Sequence, residues 1–280
     1  MFKIGEDTLP IGYGLGTKWF KKSDELNTEI TDSLIEAVKT GFTHIDLAEV
    51  YGNYAEFKAA LPEILKLVPR EKLFITDKFN PSVKDTDHTP LKHLKETLAY
   101  LGLEYVDLYL IHSPFVADHL TIESTWDECK TLKKEGLAKH IGVSNFAVKD
   151  LEKIDGVEAN QIEFSPFLQA QTPGIVEYCQ KSNILVEAYS SQTPVIQQDV
   201  NPELTEYLTK LSEKYGKSVG QINLRWVFDQ GVLPVTTTNK VDRMKEYLDL
   251  DFKLTDEEVQ KINELGAKTH IRKYWTDYYK

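Results

Sequence analysis

The stretch Thr43-His44-Ile45-Asp46-Leu47-Ala48-Glu49-Val50-Tyr51-Gly52 opens as a short apolar strand and closes on a carboxylate before it turns. An ionised Asp46 at the end of a buried strand is costly unless a cation answers it. The next apolar run, Phe74-Ile75-Thr76-Asp77-Lys78, ends in such a cation. The pattern recurs: Asp46, Lys78, His112, Ser144-Asn145, Gln161 and Tyr189-Ser190 each stand at or just past the C-terminal end of an apolar run. The runs predict eight core strands at 11–17, 42–46, 73–78, 105–112, 140–143, 159–163, 185–189 and 232–236. Amphipathic segments separate them, as in parallel βαβ units. In a closed barrel the C-terminal strand ends converge on one face, where active sites form; an open sheet strings them along a line. The set of polar ends favours closure. The expected fold is α/β, a single (β/α)8 TIM barrel domain over residues 1–280.

Several helices show their buried faces. Leu34, Ala37 and Val38 share one, and Leu91, Leu94, Leu98 and Leu101 another; further helical patterns run over 204–214, 221–229, 243–248 and 257–265. Phe2-Lys3-Ile4 and Leu9-Pro10-Ile11, joined by Gly5-Glu6-Asp7, predict a short N-terminal β-hairpin. The aromatic tail from Arg272 to Tyr279 either folds as a loop over the active-site face or packs on the barrel wall.

A chain of 280 residues holds one such barrel, since these domains commonly run to about 250 residues. The two cysteines, Cys129 and Cys179, cannot form a disulfide framework and suit a reducing compartment. Met1-Phe2-Lys3-Ile4 lacks the apolar region of a signal peptide, and no apolar run reaches the roughly 18 residues of a membrane span. A cytoplasmic protein with no membrane partner is expected. The net charge of −11 argues against a nucleic-acid partner and requires that any anionic ligand be held by local positive charge.

The residues at the strand ends suggest proton chemistry. Lys78 is the natural partner of Asp46, and a buried lysine beside Tyr51 would favour the phenolate and lower the phenol's pKa from about 10. Tyr51 would then exchange a proton near neutral pH. His112, closing Val106-Asp107-Leu108-Tyr109-Leu110-Ile111-His112, would hydrogen-bond a carbonyl oxygen. Taken singly, each has a structural explanation, and their spacing alone identifies no reaction. No His/Cys/Asp cluster has metal-ligand spacing, so no metal is expected.

Along nearly its whole length the chain resembles the aldo-keto reductase superfamily. The segments that carry the resemblance are Gly14-Leu15-Gly16-Thr17, His44 to Tyr51, Asp107 to His112, Gly142-Val143-Ser144-Asn145-Phe146, Asn160 to Pro166, and Val186-Glu187-Ala188-Tyr189-Ser190. Within the superfamily, Tyr109 to Phe115 and Phe164 to Gln169 look most like the fungal branch of α-keto amide and conjugated polyketone reductases. The resemblance implies an NADPH-dependent enzyme that reduces small carbonyl substrates, with α-dicarbonyls foremost. Tyr51 would be the general acid, Lys78 held by Asp46 would tune it, and His112 would orient and polarise the carbonyl.

The resemblance also implies the cofactor contacts. Ser144, Asn145 and Gln161 would bind the nicotinamide carboxamide, Tyr189 would stack on its ring, and Asp46 would touch its ribose. Gly16, Thr17 and Ser190 would lie along the cofactor. A separate reading makes Ser144-Asn145 an N-cap for a helix beginning near Ala147. Gly12-Tyr13-Gly14-Leu15-Gly16 is no dinucleotide fingerprint, because Thr17 stands where a third glycine is required and no helix opens there. At the adenosine end, alignment on Arg243 places Thr237 where relatives carry lysine, Thr238 at their serine, and Tyr247 at a common asparagine. Thr237, Thr238, Lys240, Arg243 and Glu246 would receive the 2′-phosphate and adenosine, unless the cations are simply a solvated helix start. Ser191-Gln192-Thr193-Pro194 replaces a usual Pro-Leu-Gly-like loop.

Trp19, Tyr51, His112 and Ser113 are expected to line the substrate pocket. Ser113 stands where many relatives place a bulky aromatic, which suits compact dicarbonyls. A monomer is expected, with a dimer as the alternative. Two other classes remain at this point: a cofactor-binding regulatory subunit of the potassium-channel type, usually tetrameric, and a barrel hydrolase pairing Asp46 with Glu49.

Overall fold

In the computed structural model, which describes residues 2–279, ten strands appear. Strands β1 (Phe2–Ile4) and β2 (Asp7–Leu9) form an antiparallel hairpin. Strands β3 (Gly12–Gly14), β4 (His44–Asp46), β5 (Phe74–Phe79), β6 (Val106–Ile111), β7 (Ala138–Ser144), β8 (Ala159–Glu163), β9 (Leu185–Tyr189) and β10 (Leu233–Thr236) close a parallel barrel in chain order, β10 pairing with both β9 and β3. The helices are α1 (Thr28–Thr40), α2 (Tyr54–Leu67), α3 (Pro90–Leu101), α4 (Ile122–Lys134), α5 (Val148–Leu151), α6 (Ile175–Lys181), α7 (Thr193–Ile196), α8 (Pro202–Tyr215), α9 (Val219–Asp229), α10 (Val241–Leu248) and α11 (Asp256–Gly266).

The apolar patterns explain the packing. Leu34, Ala37 and Val38 of α1 are buried, as are Leu94, Leu98 and Leu101 of α3, all within the large core between strands and helices. Leu91 is only half-buried, at the rim of that core. Thr121, Ser218 and Thr255 cap α4, α9 and α11 through their side-chain oxygens, which satisfies first-turn N–H groups. Cys129 and Cys179 are buried free thiols, and burial pushes both up, Cys179 to about 11.

Two expected boundaries shift. The first barrel strand ends at Gly14 rather than continuing to 17, because Thr17 turns into a short 3-10 helix with φ +39°. The hairpin turn is tighter than Gly5-Glu6-Asp7: Asp7 already belongs to β2, in register with Ile4, and Gly5 supplies the positive φ of +56°.

That hairpin plugs the bottom of the barrel. Ile4 and Leu9 pack with Phe74, Leu108, Leu110, Ala159 and Leu233 in a second apolar cluster inside it. Below, His140 bridges Asp7 Oδ2 of the hairpin, at 3.0 Å, and Glu158 Oε1, at 2.7 Å. Burial alone would lower the imidazole's pKa, but these hydrogen bonds outweigh it and hold His140 above its ordinary range. Burial would raise Glu158, yet bonds from His140, Lys133 and the Ile141 N–H hold it below its range.

The linkage has a definite sign. Stabilisation from His140 is full below about pH 6.5 and fades as pH rises through its raised pKa; that from Glu158 fades as pH falls through its lowered one. His140→Gln should therefore cost about 1 kcal/mol at pH 6, solvent screening at Asp7 included, and measurably less at pH 9. Urea denaturation at both pH values checks this, and an equal cost at both would remove charge from the account.

Candidate active site

The barrel's plug leaves its upper interior to polar side chains. Register sets their heights. Asp46 pairs with Thr76, so Lys78, two residues further along β5, projects from the same face. Ser144 pairs with Gln161, and Gln161 with Glu187, which continues the layer across β7, β8 and β9.

Lys78 is fully buried and all three of its ammonium protons are used. They go to Asp46 Oδ1 at 2.6 Å, to the Leu47 carbonyl at 2.8 Å and to the Tyr51 hydroxyl at 3.1 Å. The 3-10 turn Glu49–Tyr51 carries the phenol over the barrel. Glu49 fastens that turn to the end of β5 by accepting the Asn80 N–H at 2.8 Å. Gly16 passes so close that a Cβ there would sit 3.0 Å from the Tyr51 ring, which only glycine allows without a shift. The His112 ring stands edge-on to Tyr51, centroids 5.7 Å apart, and its nitrogens bond to no other described residue. Burial, aided by Lys78, pushes His112 down to about 3, so the imidazole is neutral and offers one N–H donor.

The expected lowering of Tyr51 is not what this environment produces. Burial, then Asp46, and further off Tyr274, Asp77 and Glu187, hold the phenol well above its ordinary value. The Lys78 charge is already answered by Asp46 at 2.6 Å, so little of it is left to favour a phenolate. Tyr51 thus keeps its proton at neutral pH.

Around this centre the structure assembles most of the residues anticipated from sequence. Ser144 Oγ donates to the Gln161 carbonyl at 2.8 Å, Asn145 Nδ2 donates to the His112 carbonyl at 2.9 Å, and Tyr189 donates to Asn145 Oδ1 at 2.7 Å. These bonds overturn the N-cap reading of Ser144-Asn145: Ala147 holds the cap position of the single turn α5, and its N–H is bonded by Asp150. Asn145 and Ser190 both adopt positive φ, +63° and +57°. Ser113 is buried beside His112, its Oγ accepting the Phe115 N–H at 3.4 Å. Trp19 is buried too, but its indole N–H points to the Tyr13 hydroxyl at 3.3 Å and so into the core.

Beyond β10, Thr238 is buried and its Oγ1 accepts the Lys240 N–H at 3.2 Å. The Thr237 hydroxyl is buried without a partner. Lys240 and Arg243, exposed at the start of α10, form no ion pair among the described residues, and Glu246 is half-buried one turn on. Two uncommitted cations at a helix start fit a phosphate. The departing loop after β9 is well anchored: Gln192 Nε2 donates to the Gly220 carbonyl at 3.0 Å and Asn223 Nδ2 to the Ser191 carbonyl at 2.7 Å.

The tail does fold over this face. Glu163, buried at the end of β8, accepts the N–H groups of Lys273 at 2.8 Å and Tyr274 at 3.1 Å. Tyr274 then meets Tyr189 edge-on at 5.8 Å, Tyr278 stacks on Phe115 at 3.8 Å, and the Tyr279 hydroxyl donates to the Asn145 carbonyl.

Two residues escaped the sequence reading. Glu163 is one, and Glu187 the other. The second carboxylate near Asp46 is Glu187 rather than Glu49, whose oxygens turn to His88 at 3.2 Å and His93 at 3.7 Å. Glu187 is sealed beneath Gln161, where no substrate reaches it, so the hydrolase alternative loses its pair. The available signal was an acidic residue inside the apolar run 185–189. Among the described residues no cluster could hold a metal ion, and no helix is long and apolar enough to cross a membrane.

The model of the Aldo/keto reductase family matches residues 10–267. The chain is 46% identical to the NADPH-dependent alpha-keto amide reductase of Saccharomyces cerevisiae, over 95% of this chain and 90% of that protein. It is 41% identical to the NAD/NADP-dependent indole-3-acetaldehyde reductase of Schizosaccharomyces pombe, over 95% of each. Among solved structures, a Bombyx mori aldo-keto reductase in complex with NADP superposes with a TM-score of 0.82 at 32% identity, covering 94% of this chain and 92% of that one.

The ion pair sets an expectation for stability. Asp46→Ala should cost about 3–5 kcal/mol, because it strands a buried ammonium, whereas Asp46→Leu combined with Lys78→Met should restore most of the loss. Urea midpoints of the single and double variants test it.

Proposed function

This chain belongs to the aldo/keto reductase family, and from that premise we propose that it reduces the carbonyl group of small α-dicarbonyl compounds to an alcohol with NADPH as donor. One observation carries the reading: Lys78 joins Asp46 to the Tyr51 hydroxyl, with a neutral His112 alongside.

Bound NADPH supplies the hydride, from C4 of its nicotinamide, to the carbonyl carbon. The rest falls to the protein. Tyr51, held protonated by its buried setting, gives its proton to the carbonyl oxygen as negative charge develops there. Lys78, whose Nζ lies 3.1 Å from the Tyr51 hydroxyl oxygen, keeps donating a hydrogen bond to that oxygen after the proton has left, and Asp46 keeps the lysine aimed. Neutral His112 donates its N–H to the same carbonyl oxygen and so fixes which carbonyl lies against Tyr51. A protonated His112 would compete with Tyr51 as acid, and its lowered pKa prevents that.

Ser144, Asn145 and Gln161 would hold the carboxamide and Tyr189 the ring face. The cofactor's 2′-phosphate would meet Thr237, Thr238, Lys240 and Arg243, whose free cations support NADPH over NADH. Ser113 beside His112, two residues before the Phe115 on which the tail rests, would give the site a small polar lining, which favours α-keto amides, α-keto esters and cyclic diketones.

Oxidation of NADPH at 340 nm, followed with isatin, ketopantoyl lactone, ethyl pyruvate and a simple aldehyde, tests the activity; turnover of the dicarbonyls is expected. Tyr51→Phe should abolish that turnover while tryptophan fluorescence still reports NADPH binding, and retained turnover would refute the proton-donor role. Lys240→Ala with Arg243→Ala should raise KM for NADPH by about tenfold or more and leave KM for NADH nearly unchanged. Equal effects would place the phosphate elsewhere.

A further inference from the structure

Glu187 takes no part in the chemistry just described, yet it lies at the heart of the barrel. It is fully buried on β9, directly in register with Gln161 on β8. A carboxyl in that place is expensive without a cation, and none is within hydrogen-bond reach. Lys78 is committed elsewhere, and His44 Nε2 stands 3.9 Å from Glu187 Oε1. Burial pushes His44 down to about 4, so it is neutral. Burial, with Asp46 adding, correspondingly pushes Glu187 up to about 7.

What Glu187 does hold is an amide. The side-chain nitrogen of Gln161 donates to Asp46 Oδ1 at 2.8 Å and to Glu187 Oε2 at 2.9 Å. An amide nitrogen has two hydrogens, and both are used. Turned over, the amide would set its oxygen against the Asp46 carboxylate in a dry site, which is repulsive, and would lose its donation to Glu187. Asp46 alone would leave the second N–H free and the amide plane loosely held. With Glu187 present, the nitrogen is committed to the two carboxyl groups, which leaves the oxygen as the free end of the amide. That oxygen accepts from no described residue, and it is not among the buried atoms sealed off without a partner.

We propose that Glu187 is a positioning residue: together with Asp46 it locks the orientation of Gln161, so that an oxygen rather than a nitrogen meets the amino group of the nicotinamide carboxamide. The inference rests on the reading of the chain as an NADPH reductase. Its consequence is selective. The lock favours a ligand that carries an N–H donor at the carboxamide position and is indifferent to one that does not. A residue that merely supports the fold would affect both ligands alike.

The experiment compares dissociation constants, by tryptophan fluorescence, for NADP+ and for its 3-acetylpyridine analogue, in which a methyl group replaces the amino group. In the unaltered chain NADP+ should bind about tenfold more tightly, the worth of one neutral hydrogen bond. Glu187→Met, a near-isostere with no acceptor, should bring the ratio close to one, mainly by weakening NADP+. Glu187→Gln, which keeps an acceptor in place, should preserve it. Where methionine is not tolerated, Glu187→Thr, too short to reach Gln161, reads the same ratio. A ratio unchanged in the Met or Thr variant, or near one in the unaltered chain, overturns the proposal. Failure of the unaltered chain to bind either nucleotide would instead overturn the reading on which it stands.

Discussion

A single buried ion pair governs this barrel. An ammonium inside a protein must surrender most of its hydration, and Lys78 recovers it through three directed contacts and one full opposite charge. Two of its partners, Asp46 and the Leu47 carbonyl, are fixed by β4 and the residue after it. The third is the Tyr51 hydroxyl, on the turn that Glu49 also fastens to the end of β5. The same arrangement that satisfies the lysine therefore places the phenol. It also cancels the lysine's field, so that burial, the largest influence, keeps Tyr51 a proton donor instead of letting it ionise.

The polar layer needs a floor and a roof. The hairpin fills the lower barrel with Ile4 and Leu9, which keeps water away from Asp46, Gln161 and Glu187 from beneath. From above, the tail rests on Tyr189, Phe115 and Asn145. Between them the interactions run in low dielectric, where hydrogen bonds are strong and an unmet partner is costly. Networks of this kind allow few alternative arrangements.

Much of this was readable from sequence. Apolar runs that end in Asp46, Lys78 and His112 announced both the strands and the face on which they converge, because a strand's polar end has one direction to point. Boundaries were less legible at Thr17 and Asp7, where a positive φ and a cross-strand register decide the outcome. Helices α2 and α4 did not stand out; α2 carries Pro62 in its interior, which blurs the pattern. Two features lay beyond sequence for a common reason. The pKa of Tyr51 is set by burial and by groups brought together from four other parts of the chain. The partners of Ser144 and Asn145 were settled by competition between Gln161, His112 and a helix start, all plausible on paper. Glu187 was visible as an acid in an apolar strand, but its partner lies 26 residues away.

The tail's anchorage separates two kinds of change. Glu163 grips main-chain N–H groups of Lys273 and Tyr274, not their side chains. Beyond Ile271 the tail adds nothing to the barrel's strand ladder. Aromatic side chains above the mouth can therefore be exchanged over generations while the strap stays fastened and the barrel keeps its stability. A lineage built on this plan is free to alter which carbonyl it accepts without disturbing the machinery that reduces it.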